Sequence, residues 1–281
     1  MQTLFAKAVA LELLPLLSDR KFAVHSCFDS GCNIIIDDRL CFIGNKKDHG
    51  LPYSLLIDQK EVRMLTENVI PGHTFLKWNT EKEAFETENV ILVLKKAKCF
   101  DSRFLGDERA LPENTLKRLM NNIDLRQKTG FGDTMETIIN PKNKALENLY
   151  KSFKTEDKKE AETVLRKWMG LGMGLTPSGD DFLLGILFVN QINPFLGEIF
   201  LKTLKTLVDE QIYTTDISNH FYRCAFGHYF SQAFIRLYEA MILKSHTLLG
   251  KRTAEILAFG HTSGCDIVTG ILAGLSKITG S

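Results

Sequence analysis

At 281 residues the chain can bury the core of one large unit or of two ordinary ones, and its formal net charge is only +1. It has no basic block and no interleaving of basic with aromatic residues, which argues against nucleic acid and anionic membranes as partners. No apolar run approaches the roughly 18 residues of a membrane span. The opening run is broken by Lys7 and Glu12 and lacks a basic leader with a small-residue cleavage site, so the expected location is the cytoplasm. The six cysteines, Cys27, Cys32, Cys41, Cys99, Cys224 and Cys265, show no C-x-x-C spacing. They indicate neither a zinc site nor a disulfide framework, and most read as small buried hydrophobes.

Taken in order, residues 3–17 carry a leucine-rich pattern compatible with a helix. From Lys21 the vocabulary becomes β-type: Phe22–Phe28, Cys32–Ile36, a turn at Asp37-Asp38, and Leu40–Gly44. A polar connection over 45–52 leads to further strands at Tyr53–Ile57 and Val90–Leu94, with a turn at Pro71-Gly72 between them. Short strands without crossover helices predict an antiparallel sheet or small barrel over roughly 20–105. Beyond Phe104 the pattern turns helical. Pro112 opens a helix through Leu125, Asn140-Pro141 introduces one through Phe153, and the charged run Thr155–Glu160 is the solvated first turn of a third ending at Met169. Further helices are expected at about 179–191, 195–211, 216–226, 229–243, 248–258 and 264–278. The class is therefore α+β, with a β-rich region over 1–105 and a mostly helical one over 106–281.

Between two helical patterns lies Gly170-Leu-Gly172-Met-Gly174-Leu-Thr176-Pro177-Ser178-Gly179-Asp180-Asp181-Phe-Leu-Leu-Gly185. Its grammar returns 85 positions later: Ser178–Leu187 and Ser263–Leu272 agree at six of ten positions, each preceded by a threonine, Thr176 and Thr262. Both copies have the form of a capping box, with Ser178 and Ser263 as N-caps and Asp181 and Asp266 reaching back. Capping leaves unexplained the second acid Asp180, the alternating glycines and Thr176-Pro177. A ligand site built on two helix starts accounts for the excess, while a structurally demanding turn is the alternative. On this reading Asp180 is the acid without a structural duty, and its plain alternative is a second acid in a favourable first turn.

Named motifs fail here. Gly174-x-x-x-x-Gly179 is followed by Asp-Asp where a phosphate loop needs Lys-Ser/Thr. Gly170-x-Gly172-x-Gly174 lacks the preceding strand of a dinucleotide fingerprint, and neither serine sits in G-x-S-x-G. Close carboxylates favour a ligand with N–H donors, such as a carbamoyl or amide group, or a magnesium ion bridging to phosphate. His261 lies on the second loop as a candidate acid, base or donor, or as a structural turn residue. Thr214-Thr215-Asp216-Ile-Ser218 is a third hydroxyl-rich stretch with the form of an N-cap, and Arg223 follows it at a distance where it could meet an anion. His220 and His228 are not at a metal-binding spacing, so no metal is assigned.

The runs GLGxGLTPSGDDFLxG at 170–185, TTxxS at 214–218 and GHTSGxD at 260–266 resemble the signature of a bacterial family that includes the AllH-type subunit of oxamate carbamoyltransferase. Val24-His25-Ser26-x-Phe28 and Asn33 resemble the same family's strand region. The resemblance implies a part in carbamoyl transfer between carbamoyl phosphate and oxamate, within allantoin breakdown, by an assembly of several subunits. The positions it carries over are Gly172, Gly174, Thr176, Ser178, Gly179, Asp180, Asp181, Thr215, Ser218, His261, Thr262, Ser263 and Asp266. Of these, Asp180, Asp181 and His261 are the catalytic candidates and the rest are candidates for substrate binding. The cofactor is left open. Phosphate needs cations or N–H donors, and the motifs contain no arginine, so a partner chain, Arg223 or a bridging ion would have to hold it. A small-molecule binding or regulatory protein without catalysis, and a scaffold whose glycines serve only helix packing, remain the alternatives.

Overall fold

The computed structural model describes residues 1–45, 50–106, 109, 111–243 and 245–278. Part of the polar connection expected over 45–52 lies outside these. The chain divides into two compact units, Met1–Arg103 with Phe230–Gln232, and Phe104–Tyr229 with Ala233–Ser281.

The first unit is a mixed ten-stranded sheet. In chain order its strands are β1 (Gln2–Phe5), β2 (Ala8–Ala10), β3 (Lys21–Phe28), β4 (Gly31–Ile36), β5 (Arg39–Asn45), β6 (Ser54–Ile57), β7 (Phe75–Asn79), β8 (Ala84–Glu86), β9 (Val90–Val93) and β10 (Lys98–Phe100). They lie side by side as β1-β9-β8-β7-β3-β4-β5-β6-β2-β10. Only two residues, Ala6 and Lys7, separate β1 from β2, yet those strands lie at or next to opposite ends of that order. The sheet must therefore curl until its ends approach. Consecutive backbone groups do bridge the gap, Ala6 N–H donating to the Val93 carbonyl and Lys7 N–H to that of Leu56. The inner face holds Leu4, Val9, Phe22, Val24, Cys32, Ile34, Ile43, Leu55 and Trp78, all buried, with Phe85 set edge-on to both Phe22 and Trp78.

The α+β class and the β-then-helical order stand as expected. Within this unit three details depart from the expectations drawn from sequence. The run over 3–17 is not a helix: it forms β1, β2 and a 3-10 segment, Leu11–Leu16. Its apolar residues meet sheet partners at both ends, and Pro15 lacks the N–H an α-helix interior needs. The sheet is not purely antiparallel, since β1–β9, β2–β10 and β5–β6 run parallel. A helix not expected from the sequence, α1 (Gln59–Thr66), connects β6 to β7, its start closed by Glu61, which accepts from the Asp58 N–H at 3.0 Å.

The second unit contains α2 (Thr115–Met120), α3 (Met135–Ile139), α4 (Lys144–Ser152), α5 (Lys158–Trp168), α6 (Ser178–Ile192), α7 (Glu198–Glu210), α8 (Asp216–Phe226), most of α9 (Gln232–Ile242), α10 (His246–Leu257) and α11 (Ser263–Ile278). Side-chain oxygens of Thr134, Asn143, Asp157, Thr215 and Ser245 cap the starts of α3, α4, α5, α8 and α10, as polar N-caps do. Helices α6 and α11 are buried on nearly every face and pack against each other at the centre. Against α6 lie α5 and α8; against α11 lie α2, α3 and α10. The helix expected from Pro112 to Leu125 is confined to α2.

Candidate functional site

The two Ser-Gly-x-Asp turns start α6 and α11, but not as capping boxes. Pro177 occupies the N-cap of α6 and no side chain caps that end. Ser178 is already the first helical residue, so its hydroxyl is free to look sideways. The turns instead exchange hydroxyl and acid. Ser178 faces the carboxylate of Asp266 and Ser263 faces that of Asp181, each near enough to favour the acid's charge. Thr176 reinforces the exchange, donating to Asp181 at 3.0 Å and sharing a hydrogen bond with Ser263 at 3.0 Å. Each helix start is thereby tied to the other, which local sequence rules cannot anticipate.

All three acids are buried: Asp180 is 3 % exposed, Asp181 4 % and Asp266 0 %. Asp266 accepts from the Gly130 N–H at 3.0 Å, with the hydroxyls of Ser178 and Thr262 near enough to favour its charge. Burial raises its pKa to about 6, against the lowering effect of those donors. A side chain at position 130 would meet the Ser178 hydroxyl at 2.0 Å, so this approach requires glycine. Asp181 is pushed well above the ordinary carboxylate range, chiefly by burial and further by the charges of Asp266 and Asp180. Asp180 is raised less clearly, because burial is opposed by Thr214, Tyr222 and Gly170.

Asp180, read from sequence as the acid without a duty, is the most heavily engaged. One oxygen accepts from the Tyr222 hydroxyl at 2.8 Å, the other from that of Thr214, and both face the Gly170 N–H at 3.2 Å. It thus anchors the start of the glycine loop and the approach to α8. Thr215 caps α8, accepting from the Ser218 N–H at 3.1 Å, while its own hydroxyl donates to the Leu175 carbonyl at 2.6 Å.

Above these groups is a small recess lined by Thr176, Asp180, Asp181, Leu184, Ser218, Phe221 and Tyr222. The Ser218 residue is 3 % exposed. Its hydroxyl lies near enough to Asp180 to favour that acid's charge, yet makes no hydrogen bond of ordinary geometry to any group. A buried hydroxyl without such a bond is unusual, and here it borders an opening. Asp181 beside it retains its proton more readily than a free carboxylic acid. A protonated carboxyl donates through O–H and accepts through C=O, the complement of an amide's C=O and N–H.

The remaining sequence candidates fall into two groups. Gly172 packs against Ser178, Gly174 faces open space and Gly179 lies on the Trp168 carbonyl, where a β carbon would stand at 1.9 Å. Thr262 and Ser263 join the acid network as described. His261 is exposed on the turn before α11 and is not among the residues lining the recess, nor is Arg223 on α8. Reading the sequence did not identify Gly130, Tyr222, Leu184 or Phe221 as site residues. Thr129-Gly-Phe-Gly-Asp133 offered a glycine signal; Tyr222, inside an ordinary amphipathic helix, offered none. Among the described residues no group of three or more His, Cys, Asp or Glu is arranged to hold a metal ion, and no helix is long and apolar enough to cross a membrane.

Residues 168–275 match the family model of oxamate carbamoyltransferase subunit AllH. Over this segment the chain is similar to that family. The matched segment contains both Ser-Gly-x-Asp turns, the Thr214–Ser218 stretch and every residue lining the recess; Gly130 lies outside it. No solved structure matches the chain.

Proposed function

We propose that the chain is a subunit taking part in carbamoyl transfer between carbamoyl phosphate and oxamate, and that the recess over Asp181 and Ser218 receives the amide-bearing end of the small substrate. The observation that carries this reading is the pairing, in one recess, of a proton-retaining carboxyl with a buried hydroxyl lacking an ordinary hydrogen bond. Together they offer donor and acceptor sites to a planar amide in surroundings where hydrogen bonds are strong. Asp180 then acts as a positioning residue, holding the glycine loop and Tyr222, and Asp266 positions Ser178. We infer allantoin and purine breakdown as its setting.

The seven lining residues include no Lys, Arg or His, and a phosphate needs such partners. We assign that role to another subunit. The same absence favours a second reading, a binding or regulatory subunit whose partner performs the chemistry. Titration calorimetry of the chain with oxamate and with carbamoyl phosphate, alone and with co-purified subunits, tests both. Expected is saturable binding that weakens about tenfold, roughly 1.4 kcal/mol, in Asp181→Asn or Ser218→Ala, together with oxamate-dependent phosphate release by the assembly. Unchanged binding and turnover in a folded Asp181→Asn variant would remove the recess from the reaction. Binding without turnover in the complete assembly would select the second reading.

A further inference from the structure

The first unit carries a pair of thiols that the proposed transfer does not use. Strands β3 and β4 form an antiparallel hairpin in which Cys27 stands directly opposite Cys32. Their register results from a local irregularity: pairing runs Val24 with Ile34, then Ser26 with Asn33, so one extra residue, His25, is accommodated between them. Phe22 and Val24 point into the core, and by simple alternation Cys27 would point away with Ala23. The extra residue reverses the parity, as a β-bulge does, and places Cys27 on the inner face beside Cys32.

Directly opposed residues in either type of antiparallel pair have α carbons about 4.5–5.5 Å apart, inside the range of about 4.4–6.8 Å that a disulfide spans. The two thiols differ in access. Cys32 is 0 % exposed, while Cys27 is only partly buried. Strand β7 pairs with β3 only over Lys21–Ala23, so the Cys27 end of β3 extends past that neighbour. Cys32 also holds the Cys27 thiol below the usual thiol range by hydrogen bonding, and is itself pushed well above it. The partly exposed sulfur is therefore the better nucleophile, and the buried one keeps its proton.

We propose that Cys27 and Cys32 are an oxidisable dithiol: Cys27 is the site attacked by a small-molecule disulfide such as oxidised glutathione, and Cys32 resolves the product into a cross-strand disulfide. In the first step the Cys27 thiolate displaces one glutathione thiolate, forming a mixed disulfide as the glutathione S–S bond breaks. In the second, Cys32 gives its proton to solvent and attacks the Cys27 sulfur, expelling the other glutathione thiolate. Two protein thiols lose two electrons and one glutathione disulfide gains them. The released thiolates take up the protons the cysteines gave. The bridge closes a short loop, so it adds less chain constraint than a long-range disulfide would. That suits a reversible modification in a reducing compartment, where persistent disulfides are rare.

Tryptic cleavage after Lys21 and Arg39 leaves both cysteines, and no other, on one peptide, residues 22–39. After the folded full-length chain is incubated with oxidised glutathione, this peptide should lose the mass of two hydrogens and regain it with dithiothreitol. Cys32→Ser should stop at glutathione on Cys27, and Cys27→Ser should leave Cys32 unmodified. If the wild-type peptide stays reduced while the exposed Cys99 becomes glutathionylated, the proposal fails. It fails equally if Cys32 reacts in a folded Cys27→Ser variant. The wild-type comparison with Cys99 needs no substitution, so a serine variant that does not fold leaves the test intact.

Discussion

Gly185 and Gly270 abut each other where α6 crosses α11. A β carbon on Gly185 would stand 3.0 Å from the carbonyl carbon of Gly270 and 2.3 Å from the Ile267 carbonyl oxygen; one on Gly270 would stand 2.0 Å from the Phe182 carbonyl oxygen. Phe182 and Ile267 are themselves equivalent positions of the two repeated motifs. The contact therefore has an approximate two-fold character: each glycine lies on the backbone of the other copy's fifth residue. That crossing sets the spacing between the helix starts, and so permits the exchange of hydroxyl and acid between Ser178, Asp266, Ser263 and Asp181.

Gly185→Ala and Gly270→Ala should each destabilise the protein. Alanine is the better helix former by about 0.8–1 kcal/mol, but forcing a methyl group onto carbonyl oxygens is overpacking, with a cost of about 1–3 kcal/mol or more. Urea unfolding measures the balance. Stabilisation by either substitution would mean that the helices are not in the close contact described.

Tyr222→Phe removes the hydroxyl that Asp180 accepts from, leaving a buried acid with one fewer donor. A loss of about 1–3 kcal/mol is expected, again by denaturant unfolding. Thr214→Val should act on the same acid, and the double variant should lose less than the sum of the two because they share a partner. Strict additivity would show that Asp180 does not couple them.

Asp266 links stability to pH. Its folded-state pKa, about 6, lies above the ordinary 3.8, so the folded protein binds this proton more tightly than the unfolded chain. Below the ordinary value both states are protonated and the group costs nothing. Between about 3.8 and about 6 the unfolded chain has released this proton while the folded state keeps it, so stability falls with rising pH and levels off above about 6. Asp266→Asn cannot ionise, so its stability relative to wild type should improve between 3.8 and about 6 and stay level above that. A difference in denaturation midpoint that stays constant across that interval would refute the assignment.

Leu171, Met173 and Leu175 present exposed apolar side chains on the glycine loop beside the recess, Met173 at 92 %. Met173→Glu should leave unfolding stability within about 0.5 kcal/mol of wild type, as at other exposed sites. If another subunit covers this rim, the same change should weaken co-purification with it. Light scattering of the mixed subunits distinguishes the two effects, and unaltered association would place the contact elsewhere.

Much of this was available from residue order alone. Helix α8 was expected over the same residues that it occupies, Asp216–Phe226, and α6 and α11 to within a residue, because caps, apolar periodicity and terminators are local signals. The β3–β4–β5 meander was legible from short β-branched runs around Asp37-Asp38. The likeness of the Ser178 and Ser263 turns was also visible as a repeat, and with it the family resemblance.

What the chain order could not decide was what those repeated groups touch. Ser178 and Asp181 satisfy a local capping rule on paper, yet the groups they face, Asp266 and Ser263, lie more than 80 residues further on, since contacts across a helix crossing depend on packing rather than on neighbours in sequence. The same holds for Asp180, which seemed free and is bound by Tyr222, Thr214 and Gly170. It holds too for residues 3–17, whose leucines suit either helix or strand until β9 and β6 supply partners. Burial, which raises the pKa values of Asp181 and Asp266, and the parity change that brings Cys27 to Cys32 exist only once the chain has folded.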